Sequence, residues 1–148
     1  MRSVIRGPAL DQPTELVPSC DDRHVTADQL LAEARAEIVR LTPSEALAAS
    51  NDDAVLIDIR PVEQRDRDGL LPHAHVVPRN VLEWRLDPRG DHRDPRLARL
   101  DRRVIVICDE GYQSSLAAAN LTRFGIDAAD VIGGVREWCR EGLEINNG

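Results

Sequence analysis

The twelve residues Val104-Ile105-Val106-Ile107-Cys108-Asp109-Glu110-Gly111-Tyr112-Gln113-Ser114-Ser115 decide how the chain is read. Four consecutive apolar β-branched residues describe an inner strand of a parallel sheet, buried on both faces. A short polar loop follows and runs straight into a helical pattern, Gln113–Phe124, with Ala117, Leu121 and Phe124 on one face and Gly125 as its stop. Cys108 therefore lies at the carboxyl end of a strand, where open α/β sheets bind their ligands. The turn and the helix N-terminus direct backbone N–H groups at the thiol, which favours thiolate and can hold an anion. Gly111 supplies the backbone freedom such a turn needs. From this context alone Cys108 reads equally as a nucleophile or as a small buried hydrophobe.

Outward from this stretch, short apolar runs alternate with helical patterns, the signature of parallel strands joined by crossover helices. Ile38–Leu41, Ala54–Ile59, Ala74–Val77 and Ala129–Ile132 read as four further strands, which makes a mostly parallel sheet of about five. Helices are expected from Thr26 to about Glu37, after Thr42, from Pro61 to Arg67, after Asn80, and over Gly134–Arg140, covering both faces of the sheet. Thr42-Pro43-Ser44-Glu45 has the form of a capping box with proline at the first helical position. Asn80 and Glu83 have similar spacing and are expected to cap the helix carrying Leu82, Trp84 and Leu86. Residues 1–25, with Pro8, Pro13 and Pro18 and no hydrophobic period, read as a flexible N-terminal arm. Residues 26–148 read as one domain, opened by the helix 26–37.

The 148 residues carry 19 basic and 26 acidic side chains, for a net charge of −7, and every basic residue is arginine. Without lysine there is no Schiff-base chemistry and no phosphate-loop lysine. The acidic balance argues against binding nucleic acid through its phosphates. Cys20, Cys108 and Cys139 make an odd set without a CxxC pair, against a disulfide framework or structural zinc. His73 and His75 lack a carboxylate or thiol partner in sequence, so they carry no metal expectation. The first thirty residues contain no leader-like apolar run, and nothing approaches the ~20 apolar residues of a membrane span. A cytoplasmic protein without a membrane partner is the expectation.

Four segments lie in order at matching separations: Val55–Arg60 (VLIDIR), Gly69 to Ala74, Val106–Ser115 and Gly133–Trp138 (GGVREW). Together they resemble the single-domain rhodanese-like sulfurtransferases over roughly residues 36–145. The resemblance implies an α/β fold and a cysteine that takes sulfane sulfur as a persulfide. The sulfur then passes to an acceptor such as a thiol or cyanide, or to a thiol on a protein. On this sequence the nucleophile becomes Cys108. Asp109, Glu110, Gly111, Tyr112, Gln113 and Ser114 become the loop whose amides cradle the persulfide, with no metal or organic cofactor required. Related phosphatases and arsenate reductases have a loop one residue longer, closed by an arginine, so the resemblance disfavours phosphate-ester chemistry.

Two departures from the family pattern stand out: Gln113 stands where arginine is common, and Asp109-Glu110 places two carboxylates beside the thiol. Both disfavour the dianion thiosulfate as donor and point to a small-molecule or protein persulfide instead. Arg79 and Arg60 are the cations expected to restore positive charge. Asp58 with Arg60 is expected to brace the strand end, and Gly133-Gly134 to serve backbone geometry beside the loop. Trp138 and Cys139 are expected to pack in the core, while Tyr112 either shapes the mouth of the site or faces solvent. A non-catalytic binding or regulatory module on the same fold is the competing expectation.

Overall fold

The strand Val104–Ile107 sits in the middle of the sheet, and the packing of its side chains explains the architecture. The computed structural model describes residues 24–147, and the proposed arm with Cys20 lies almost wholly outside them. Leu31–Gly148 forms one compact unit. The elements in chain order are α1 (Ala27–Ala36), β1 (Val39–Leu41), α2 (Pro43–Asp52), β2 (Val55–Asp58), α3 (Val62–Asp68) and β3 (Ala74–Val76). A single 3-10 turn, Arg79–Val81, leads into α4 (Leu82–Leu86), followed by β4 (Arg103–Ile107), α5 (Gln113–Thr122), β5 (Asp127–Val131) and α6 (Gly134–Arg140). The five strands pair in the order β1-β5-β4-β2-β3, every pair parallel.

Parallel strands buried on both faces divide their side chains by the two-residue period of the pleat. Val104, Val106 and Cys108 join Val55, Ile57 and Ile59 in the layer under α4 and α5, with Leu82, Leu86, Ala117 and Leu121. Ile105, Ile107 and Leu56 join the opposite layer with Ala46 of α2 and Val135 and Trp138 of α6. Each fully buried Val, Ile or Leu stabilises the fold by about 1.5–3 kcal/mol. Among the described residues Trp138 is the one fully buried aromatic, with Phe124 partly buried against the α5 layer, and the Trp138 indole N–H donates to Glu144 O at 2.8 Å.

Local capping follows the sequence at Thr42 but not at Asn80. Thr42 Oγ1 accepts from Glu45 N, and Glu45 Oε1 accepts in return from Thr42 N at 2.8 Å. At Asn80 no side-chain cap forms. Glu83 is drawn away by two other donors, Arg79 Nη1 four positions back at 2.9 Å and the distant Asn120 Nδ2 at 2.8 Å. Cys139 also departs from expectation: it is a free, exposed thiol on the outer face of α6, since its neighbour Trp138 takes the core-facing position. His73 and His75 border a separate cleft with Arg96, Arg99 and Arg102, away from Cys108.

Candidate active site

Cys108 follows directly on β4 and is 6 % exposed, at the base of a pocket of about 340 Å³. Its Sγ accepts two backbone hydrogen bonds, from Gly111 N at 3.2 Å and from Ser114 N at 3.3 Å. The turn is possible because Gly111 adopts φ +88, and because any Cβ there would stand 2.8 Å from Gly133 N. The loop therefore packs backbone to backbone against the Gly133-Gly134 turn. From that side the first amides of α6 donate to the loop: Val135 N to Cys108 O at 2.9 Å and Arg136 N to Asp109 O at 3.0 Å.

Those bonds orient the loop's peptides. In a planar trans peptide the carbonyl and the next N–H point in opposite directions. Carbonyls held outward by α6 leave the following amides turned toward the thiol side of the loop. The result is a nest of donors that can hold a negatively charged sulfur without a metal or a side-chain cation. Among the described residues no group of three metal-ligating side chains assembles anywhere.

The charged residues around the pocket are arranged differently from their order in sequence. Asp109 turns to Arg67 Nη2 at 2.8 Å and Arg136 Nε at 3.3 Å, so its charge is matched outside the pocket. Arg67 also holds Asp68, whose carboxyl is kept below the usual range chiefly by that hydrogen bond. Glu110 is exposed at the pocket lining. Arg60 is 1 % exposed and committed to structure: its Nη2 donates to Asp58 Oδ2 and to Gly69 O, both at 2.8 Å. Asp58 and Arg60 thus tie the end of β2 to the end of α3. Arg60 touches the pocket wall, but four of its five N–H donors are engaged by Asp58, Gly69 and Gln64.

Arg79 is the cation that reaches the pocket with capacity to spare. Its Nε donates to Gln113 Oε1 at 2.9 Å and its Nη1 to Glu83, while Nη2 has no acceptor among the described residues. Burial pushes the Glu83 carboxyl up, but the hydrogen bonds from Asn120 and Arg79 outweigh it and hold it below the ordinary value. Arg79 and Gln113 thus lie together in the pocket lining. Tyr112, 59 % exposed, lies at the pocket mouth with Arg35 5.7 Å from its ring centroid. Ile59, Pro61 and Gln64 complete the lining and were not foreseen, because nothing in their sequence context marks them.

Behind the loop stands a buried carboxylate that the sequence reading passed over. Asp130 of β5 is fully buried and accepts from Ser114 Oγ at 2.8 Å, Ser115 Oγ at 2.7 Å and Arg40 Nε at 2.8 Å. An acidic residue inside the apolar run Ala128-Ala129-Asp130-Val131 was the available signal, since a buried charge needs partners.

Comparison with known proteins agrees with this geometry. Residues 42–141 match the family model described as rhodanese-like domain. The thiosulfate sulfurtransferase GlpE of Pseudomonas syringae is 28 % identical over 103 residues, covering 69 % of this chain and 88 % of that protein. Among solved structures, a Rhodopseudomonas palustris protein of unknown function, described as a possible tyrosine phosphatase, is 27 % identical. It has a TM-score of 0.75 and the match covers 91 % of this chain and 99 % of that one. The polysulfide-sulfur transferase homodimer of Wolinella succinogenes is 27 % identical with a TM-score of 0.61, covering 80 % and 84 %. With the family matched across most of its length and a cysteine cradled at the end of the central strand, this chain belongs to the rhodanese-like domain family.

Proposed function

We propose that the chain is a sulfurtransferase that carries sulfane sulfur as a persulfide on Cys108. The observation that carries this reading is the pair of backbone amides, Gly111 and Ser114, on Cys108 Sγ at the base of an open pocket. The thiolate attacks the outer sulfur of a donor persulfide, and the donor S–S bond breaks with its electron pair leaving on the donor thiolate. An acceptor thiolate or cyanide then attacks the outer sulfur of the Cys108 persulfide and releases the Cys108 thiolate. Each step is a two-electron displacement, so no external oxidant, reductant or cofactor is consumed.

The donor we infer is a low-molecular-weight or protein persulfide in preference to thiosulfate. A dianion entering the pocket meets one available guanidinium, Arg79, whose charge is already shared with Glu83, and it passes the exposed carboxylate of Glu110. Asp109 contributes less than its position suggests, because Arg67 and Arg136 match it. No helix of the described residues is long and apolar enough to cross a membrane. A reducing compartment such as the cytoplasm suits a thiol that must cycle between free and sulfur-loaded forms. The division into an arm, 1–25, and a domain from residue 26 belongs to the same proposal.

Intact mass spectrometry after incubation with thiosulfate, a small-molecule persulfide or polysulfide tests the mechanism. The expected result is an adduct one sulfur atom heavier, formed least readily from thiosulfate and lost in Cys108→Ser. A chain that no donor loads would instead be a binding module, the reading favoured by Gln113 at the close of the loop. Turnover of p-nitrophenyl phosphate dependent on Cys108 would point to the activity named for the Rhodopseudomonas palustris protein.

A further inference from the structure

Two arginines that precede the family-matched segment reach into the back of the catalytic loop. Arg35 of α1 donates from Nη2 to Gly111 O at 2.8 Å, and Arg40 of β1 donates from Nη2 to the same oxygen at 3.2 Å. Both positions lie before residue 42, where the family match begins. Neither guanidinium is free to wander. Arg35 Nε donates to Ser115 Oγ at 3.1 Å, and Arg40 is gripped by both oxygens of the buried Asp130, at 2.8 and 3.2 Å. Asp130 in turn accepts from Ser114 and Ser115, the residues that open α5.

One carbonyl with two charged donors is held firmly, since hydrogen bonds from ionised groups are about twice as strong as neutral ones. The consequence falls on the other side of the same peptide. Gly111 O and Tyr112 N–H point in opposite directions across a trans peptide, so an oxygen held toward the arginines aims Tyr112 N–H away from them, to the pocket side. That N–H finds no acceptor among the described residues, whereas the Gly111 and Ser114 amides already engage Sγ. The loop thus has two donors for the sulfur of the resting thiol and a third, Tyr112 N–H, whose peptide the two arginines hold and which has nothing yet to bind. The amides of Asp109, Glu110 and Gln113 are likewise without an acceptor among the described residues, but no side chain clamps their peptides.

We propose that Arg35 and Arg40, backed by Asp130, are positioning residues that fix the Gly111–Tyr112 peptide so that Tyr112 N–H receives the outer sulfur of the Cys108 persulfide. The inference rests on the persulfide reading above and adds to it. The arginines act through the backbone and touch neither donor nor acceptor. They distinguish the loaded state from the empty one, because the Sγ atom keeps its own two amides whether or not the third is correctly aimed. The positive charge is thereby placed behind the loop rather than in it, which suits a loop that closes on Gln113.

The test compares the persulfide with the free thiol in the same variants. Wild type, Arg35→Gln and Arg40→Gln are loaded with sodium polysulfide or thiosulfate and followed by intact mass. Loss of the outer sulfur to cyanide is timed, and the rate of iodoacetamide alkylation of the unloaded thiol is measured in parallel at one pH. The variants are expected to need about tenfold more polysulfide for half-loading and to shed sulfur about tenfold faster, the scale of one lost hydrogen bond to a charged sulfur. Their thiol alkylation should stay within twofold of wild type. Half-loading and decay that match wild type overturn the inference, as does alkylation that changes as much as decay, the mark of a loop merely loosened. If Arg40→Gln does not fold, Arg35→Gln decides alone, since it leaves the partners of Asp130 in place. A wild type that takes sulfur from neither probe overturns the persulfide reading together with this inference; a loaded wild type with indistinguishable variants overturns this inference only.

Discussion

A Cβ added to Gly134 would stand 2.5 Å from the carbonyl oxygen of Cys108, so the first turn of α6 and the Cys108 peptide are in direct backbone contact. Gly134 also adopts φ +62, a region that side chains with a Cβ rarely enter. Alanine there must push the loop away from α6 and strain its own backbone. Gly134→Ala is expected to cost about 2–4 kcal/mol of stability. It should also release the Val135 N bond to Cys108 O and so blunt sulfur loading. Urea denaturation and intact mass read the two effects, and wild-type values in both would sink the packing account.

Asp58 and Arg60 form a buried pair, with both side chains essentially inaccessible, at the wall of the pocket. Removing one partner leaves a charge without compensation in the interior, which typically costs about 3–5 kcal/mol. Arg60→Met is therefore expected to lower the denaturation midpoint severely, while any fraction that folds keeps the wild-type preference among donors. A folded Arg60→Met chain that loses discrimination between thiosulfate and polysulfide would show that Arg60 contacts substrate after all.

Arg79 and Gln113 share one hydrogen bond in the lining of the pocket. Gln113→Arg adds a guanidinium at the pocket, and Glu83 remains to hold Arg79 aside. The kcat/KM for thiosulfate is expected to rise by about tenfold, the contribution of one charge-assisted contact, and that for polysulfide far less. Steady-state rates with both donors check this. An unchanged thiosulfate rate would remove loop charge as a ground for inferring a persulfide donor over thiosulfate.

The two loop carboxylates should behave unequally. Asp109 is matched by Arg67 and Arg136, whereas Glu110 is exposed beside the pocket. Glu110→Gln is expected to lower the thiosulfate KM two- to fivefold at low ionic strength, roughly the size of one screened charge interaction. The gain should shrink as salt is added. Asp109→Asn should leave that KM nearly unchanged. Equal effects, or the reverse order, would contradict the placement of the two side chains.

What could be read from residues alone was whatever short-range pattern determines. The all-β-branched run at 104–107, the Thr42–Glu45 box and the glycine turn at 111 each depend on neighbours within a few positions, and each formed. Asn80 and Glu83 had the same spacing as a capping box, but Glu83 found Arg79 and Asn120, the latter 37 positions away, and charge-assisted bonds outcompeted the cap. The same limit hid the site's surroundings. That Asp109 turns to Arg136, or that Arg35 and Arg40 reach Gly111, depends on how α1, β1 and α6 pack, and no local pattern encodes it. Asp130 was the exception that composition could have flagged, because a carboxylate within a buried strand must have partners.

Strong acid should uncouple one well-defined turn, the one held by Asp94 and Arg96. The Asp94 carboxyl is held down at about 2, chiefly by the side-chain hydrogen bond from Arg96, against an opposing push from burial. Arg96 Nη2 lies 2.7 Å from Asp94 Oδ2, and Arg96 N donates to Oδ1 at 3.0 Å. A folded-state value below that of the unfolded chain means the unfolded chain binds the proton first as pH falls. The stabilisation is therefore complete above about pH 4 and is lost as pH drops toward 2. Arg96 is largely exposed, so the pair contributes about 1 kcal/mol or less. Asp94→Asn keeps an oxygen for the backbone bond and removes only the charge. Wild type should exceed it in stability by that amount at pH 7, and the gap should close between pH 4 and 2.5. Urea midpoints for both chains across that range are the measurement; a gap that persists at pH 2.5, or one that was never present at pH 7, would show that the Asp94–Arg96 pair does not stabilise the turn.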